Sequence, residues 1–127
     1  MHDDDLRRAF ASFYHCVRPS GGCLISVRDY DHEDRAHTKV VPCGLRETND
    51  KRYLVFQVWT WDGDHYDVSM YFVEDTGHRQ GAAHIIRTRY YAVRIAHLMA
   101  LLEEAGFSNV HRIDGIYYQP LLVGTKR

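Results

Sequence analysis

The sequence predicts an α+β fold in one domain spanning residues 1–127. Three observations carry that prediction. Apolar residues recur at helical spacing near the start, the middle alternates apolar and polar residues over several runs, and a second helical stripe comes late. Pro and Gly mark each change of period.

Leu6, Ala9, Phe10, Phe13 and Val17 give one apolar face to a helix over residues 5–17. Asp3, Asp4 and Asp5 are placed to cap its start and complement its dipole. Pro19 cannot continue the helix, and Gly21 and Gly22 turn the chain without a Cβ penalty. Residues 23–29 then form a short apolar run bounded by turn residues, which reads as a buried strand. It ends in charge at Arg28, Asp29 and Asp31. Residues 30–39 are polar and aperiodic, as an exposed loop is.

Texture changes near Val40. Residues 51–61 and 65–74 alternate on either side of Asp62 and Gly63, the strongest hairpin signal in the chain. Asn49 and Asp50 mark a turn pairing residues 40–47 with the first of these runs. Residues 75–81 are another turn, and residues 82–91 a fourth strand. A four-stranded antiparallel meander over residues 40–91 follows. From residue 92 the period returns to helical, with Ile95, Leu98, Met99, Leu102 and Ala105 on one stripe and Gly106 as its stop. Residues 107–113 and 117–124 make a closing strand pair around Asp114 and Gly115. Three parts therefore make up the domain: residues 4–29, 40–91 and 92–127.

Composition bounds the function. A formal net charge of −1 offers no general attraction to nucleic acid or to an acidic membrane. No run approaches a membrane span, and the start, Met1 to Asp5, is unlike a signal peptide. Cys16, Cys23 and Cys43 are odd in number and lack metal-type spacing, so reduced thiols in a cytoplasmic protein are expected, with no metal site. Cys16 and Cys23 read as inert thiols in apolar surroundings.

The run from Leu6 to Phe10, then Val17, Arg18, Pro19, Ser20, Gly21, Gly22, Cys23, Leu24 and Ile25, resembles the fourth helix and fifth strand of class I S-adenosylmethionine-dependent methyltransferases. Residues Leu101, Leu102, Glu103, Glu104, Ala105, Gly106 and Phe107 resemble that family's last helix entering its sixth strand. The resemblance covers residues 4–127. It implies a partial Rossmann-like sheet of three C-terminal strands, with the final strand inserted antiparallel beside the fifth. The meander would then be an insertion after the fifth strand, where the family commonly carries substrate-selecting elements. Met1 falls where about half of that fold precedes. No Gly-rich turn between a strand and a helix occurs in these residues, since Gly21 and Gly22 lie before their strand. The expectation is a truncated, methyltransferase-like protein that does not transfer methyl groups by itself, holds no cofactor and binds a small molecule or a partner as a homodimer. One alternative is the substrate-side component of an S-adenosylmethionine-dependent methyltransferase, completed by another chain and binding the cofactor only then. An unrelated α+β ligand-binding protein is the remaining alternative.

Candidate pocket residues fall in three places. Arg28, Asp29 and Tyr30 end a strand where α/β sheets bind ligands, although any strand reaching solvent must end in something polar. Trp59, Trp61 and Tyr66 flank the tight hairpin, with His84, Arg87, Arg89 and Tyr90 on the fourth strand. These would wall a small acidic or planar ligand, or simply form a cross-strand aromatic ladder with Arg stems laid over it. Because Gln57, Trp59 and Trp61 share one face by alternation, one face of this sheet must be core. Tyr117 and Tyr118 open the last strand near the same rim. No catalytic residue is assigned: no Ser/His/Asp or Cys/His order stands out. Finally, the strand between Cys23 and Val27 would lack a neighbour on one edge. An uncovered apolar edge invites pairing, so a homodimer through that edge or the first helix is expected.

Overall fold

The computed structural model describes all residues, 1–127. Nine elements follow in order: α1 (Asp3–Cys16), β1 (Gly22–Ser26), β2 (Lys39–Glu47), β3 (Arg52–Asp62), β4 (His65–Asp75), β5 (Ala82–Tyr91), α2 (Ile95–Glu104), β6 (Ser108–Ile113) and β7 (Leu121–Thr125). The architecture is α+β, with a three-stranded sheet in the order β1-β7-β6 and a four-stranded sheet in the order β2-β3-β4-β5. The elements group into two compact units, residues 1–33 with 93–127, and residues 34–92.

In the first unit β7 runs antiparallel to both β1 and β6, so the last strand is inserted beside the first as expected. His2 precedes α1, and its backbone N–H donates to the Asp5 carboxylate at 2.9 Å. Asp3 and Asp4 sit in the first turn, where they complement the dipole. Phe10 is the buried member of the helix's apolar face, whereas Phe13 stays 41% exposed. The turn after α1 departs from expectation in one detail. Ser20, not a glycine, takes the left-handed conformation (φ 66°). Gly21 is needed for space, since a Cβ there would lie 2.9 Å from the Arg18 carbonyl oxygen.

β1 is not buried. Its residues alternate between exposed and half-buried, and Leu24 is 62% exposed. The reason is positional: β1 is an edge strand, paired with β7 and with nothing beyond. The core of this unit instead gathers on α2, where Ile95, Leu98, Leu101 and Leu102 are buried, with Phe10, Phe107 and Leu122. Gly106 stops α2 at φ 117°, and a Cβ there would meet the Tyr14 ring at 3.0 Å. Arg7 to Glu104 (3.1 Å) and His97 to Asp3 (2.8 Å) tie α1 to α2.

The meander of the second unit follows the expected register closely. Asp62 pairs with His65 across a two-residue turn whose first position, Gly63, has φ 61°. A bulge at Cys43 separates Pro42 from Gly44 on β2. Both are tolerated because β2 is an edge strand. Alternation assigns one face to Gln57, Trp59, Trp61, Tyr66, Val68 and Met70, and the opposite face to Leu54, Phe56, Val58, Tyr71 and Val73. Trp59, Tyr66 and Val68 are buried, at 3%, 2% and 7% exposure, so the tryptophan face is the core face.

Candidate functional site

One end of the three-stranded sheet collects five of the sequence-predicted pocket residues. Arg28, Asp29 and Tyr30 follow β1, and Tyr117 and Tyr118 lie in the turn before β7. The two segments are joined by the Val27 N–H donating to the Pro120 carbonyl at 3.0 Å. Tyr117 and Tyr118 do not begin the last strand as expected. Pro120 removes a donor there, and pairing starts only at Leu121. Their rings stand 4.4 Å apart and both are exposed. A hydrogen bond with the Tyr118 hydroxyl pushes the Tyr117 phenol above its usual range.

Asp29 is a scaffold at this end. One carboxylate oxygen accepts the Asp31 N–H at 3.0 Å and the other accepts Arg112 Nη2 at 3.0 Å. The Asp31 N–H first, and then the Arg112 guanidinium, hold its carboxyl below the usual carboxylate range. Arg112 also donates from Nε to Asp114 at 2.9 Å, so it clamps the end of β1 to the end of β6 across the intervening strand. Sequence reasoning missed Arg112 and Asp114. Asp29 is 83 positions from Arg112, and only the strand order, read as parallel β1 and β6 around β7, would have brought them together.

The meander residues divide by face. On the core face Tyr66 packs among Trp59, Trp61 and Tyr90, with ring centroids 4.9, 4.6 and 5.4 Å away. Trp59 Nε1 donates to Gln57 Oε1 at 2.9 Å. Lys39 stands 4.7 Å from the Trp59 ring and Arg35 5.1 Å from that of Trp61. His84 shares this face, reaching Glu74 at 3.3 Å, and Lys51 reaches the same carboxylate at 3.0 Å. Arg87 and Arg89 project from the opposite face, because β5 alternates and His84 is odd-stepped from both. Arg89 is held there by Asp62 (2.6 Å) and Asp67 (3.2 Å). The expected wall of Trp59, Trp61, Tyr66, His84, Arg87 and Arg89 is therefore not one surface. Its aromatics pack as a ladder, and two of its cations are on the far side of the sheet.

No Gly-rich turn leads from a strand into a helix N-terminus in this chain. A cofactor such as S-adenosylmethionine needs such a turn. Here the glycines at positive φ, Gly44, Gly63, Gly77, Gly106 and Gly115, lie in a bulge, in hairpin or strand turns, or at a helix end. The first turn of α1 carries Asp3, Asp4 and Asp5, which repel an anionic carboxylate. No group of three His, Cys, Asp or Glu residues is placed to hold a metal ion. No helix is long and apolar enough to cross a membrane.

No protein-family model matches the chain, and no curated protein matches it significantly. Solved structures do. CalS10 of Micromonospora echinaspora, an amino pentose methyltransferase of calicheamicin biosynthesis with S-adenosylmethionine bound, aligns at TM-score 0.82 and 12% identity, covering 100% of this chain and 52% of that one. The sugar N-methyltransferase KedS8 from Streptoalloteichus aligns at 0.77 and 14% identity, covering 99% and 50%. DesVI of Streptomyces venezuelae aligns at 0.77 and 14%, covering 99% and 52%. The fold is that of the C-terminal half of an S-adenosylmethionine-dependent methyltransferase. The chain spans about half the length of the structures it matches.

Proposed function

We propose that these 127 residues are the substrate-side half of a methyl-transferring unit, and that alone they bind a small molecule or a partner without transferring a methyl group. The observation that carries this reading is the sheet order β1-β7-β6 ending at an unpaired β1 edge, in a chain whose whole length overlays half of each neighbour. A cofactor-binding half, on whatever polypeptide it lies, would add its strand at β1 and bring the Gly-rich turn absent here. Transfer in such a unit is chiefly positioning of a nucleophile in line with a sulfonium. The Asp29–Arg112–Asp114 clamp would then keep the substrate end of the sheet in shape. A sugar bearing an amine is the substrate class to try first, because two of the fold neighbours are described as an amino pentose methyltransferase and a sugar N-methyltransferase.

Calorimetric titration tests this directly. The chain alone should show no heat with millimolar S-adenosylmethionine or S-adenosylhomocysteine. A chimera joining the N-terminal half of CalS10 ahead of Leu6 should bind both. Saturable binding by the chain alone would overturn the proposal, and so would a folded chimera that binds neither.

A further inference from the structure

Between Leu54 and Val58 the face of the meander opposite Trp59 is apolar where a solvated sheet face should be polar. An antiparallel sheet with one buried face ordinarily shows alternating polar residues on the other. Here cross-strand rows Leu54–Val73 and Phe56–Tyr71 occupy its centre, with Val58–Ser69 next. Phe56 and Tyr71 stack with centroids 4.9 Å apart and planes within 3°. On the flanking strands Leu45 is 49%, Val40 65% and Ile85 41% exposed, and Leu54 itself is 47% exposed. Leu45, Leu54 and Val73 line a shallow apolar depression with Arg52 and Asp75 at its rim.

We infer that this face is a two-fold interface between two copies of this chain. The pattern of residues is what selects a second copy. A two-fold axis lying between β3 and β4, parallel to the strands, sets β3 of one copy over β4 of the other. Each row then meets its own reverse: Leu54 lies over the partner's Val73, and Phe56 over the partner's Tyr71. At the end of the patch Arg52 lies over the partner's Asp75, and Asp75 over the partner's Arg52. Within one copy these two already pair at 2.7 Å while remaining about half exposed, so association closes a ring of four alternating charges. Isologous contacts require such self-complementarity. Size is adequate too. β3 and β4 have 11 residues each, so the face is about 37 Å long and, over four strands, about 19 Å wide. That is on the order of 700 Å² for the whole face, near the roughly 800 Å² per partner of a stable interface, with the apolar rows at its centre and Asp62, Asp67 and Arg89 as a polar rim at the hairpin end. This contact is independent of any methyl-transfer reading, and it replaces the β1 edge as the route to a homodimer.

Sedimentation velocity on the intact chain tests the proposal. At tens of micromolar the chain should run at twice its 14.9 kDa. Leu54→Glu should weaken association by on the order of a hundredfold, whereas Ile86→Glu, on the core face of β5 and 60% exposed, should not. The charge variants are the sharper arm. Arg52→Asp and Asp75→Arg each place like charges opposite one another and should run as monomers. Mixed, they restore both cross-chain pairs and should form a heterodimer, whereas neither single variant regains its own internal pair by mixing. Circular dichroism of each variant before mixing confirms that it is folded. A monomeric wild type overturns the inference, as does a dimer that survives Leu54→Glu or folded charge variants that fail to complement. A dimer lost instead with Leu24→Glu would place the interface at the β1 edge and overturn it equally.

Discussion

The two units leave different parts of a sheet uncovered. In the first unit an edge is open: β1 carries Gly22, Cys23, Leu24, Ile25 and Ser26, with no charge, no proline and no bulge to blunt its unpaired backbone. In the second unit the edges are blunted and a face is open. β2 has Pro42 and the Cys43 bulge, and β5 has Arg87 and Arg89. An open backbone edge is completed by a strand, whereas an open apolar face is completed by another packed surface. One chain therefore displays two distinct requirements, met by different chemistry.

Core truncations should separate the two most strongly. Leu122 is fully buried in the central strand of the first unit. Leu122→Ala should cost about 2–5 kcal/mol in urea unfolding, through lost transfer energy and the cavity left behind. Leu54→Ala on the open face of the second unit should cost about 0.5 kcal/mol or less in dilute monomer, and more as the concentration rises if the face is buried by association. Equal losses at both positions in dilute solution would mean that the meander face is covered within one chain.

Glycine substitutions rank next. At Gly106 both φ and the Tyr14 ring oppose a Cβ, whereas at Gly63 φ is positive but nothing lies within 4 Å. Gly63→Ala should therefore cost about 1 kcal/mol from backbone strain alone. Gly106→Ala should cost roughly 2–3 kcal/mol, because the Tyr14–Phe107 edge contact at 5.2 Å must also shift. Thermal midpoints of the pair measure the difference. Equal shifts would show that Tyr14 moves aside freely.

Sequence made the meander legible because its signals are local. Period-two alternation and a two-residue turn at Gly63 set the register of β3 and β4 without reference to the rest of the chain. The same holds for α2, whose stripe and Gly106 stop are contiguous, although Leu101 at 2% exposure lay outside the stripe read from spacing. The resemblance supplied what locality does not, namely that β7 lies between β1 and β6. Site residues fared differently. Alternation placed Gln57, Trp59 and Trp61 on one face correctly, but grouping the tryptophans with Arg87 and Arg89 ignored the same alternation on β5. Arg112 was invisible because its partner Asp29 is close only after three strands have assembled.

The Arg112 clamp gives a smaller, pH-dependent effect in the first unit. The Asp31 N–H and the guanidinium lower the Asp29 pKa in the folded state. A depressed carboxylate contributes stability above its unfolded pKa, and that contribution is lost as pH falls through the folded value. By NMR, Asp29 should titrate below the ordinary value of about 3.9. In Arg112→Ala the midpoint should move upward part of the way, since the Asp31 N–H remains. No movement would mean that the guanidinium does not govern this carboxylate.

The smallest expected effect is kinetic and compares one cysteine of the β1 edge with two outside it. Burial raises the Cys23 thiol above its usual range, while Cys16 at the end of α1 and Cys43 in the β2 bulge are exposed. Cys16 is thus open to solvent and not sheltered in apolar surroundings as its neighbours in sequence implied. Thiolate is the reactive form, so at neutral pH Cys23 should react more slowly with a disulfide reagent than Cys16 or Cys43, an effect tempered by its greater nucleophilicity once ionised. Two fast thiols and one slow one are expected, with the slow one assigned by Cys23→Ser. If a strand from a cofactor-binding half docks on β1, the slow thiol should slow further while Cys16 and Cys43 hold their rates. A uniform change across all three would report general loosening or tightening of the chain, and would count against docking at that edge.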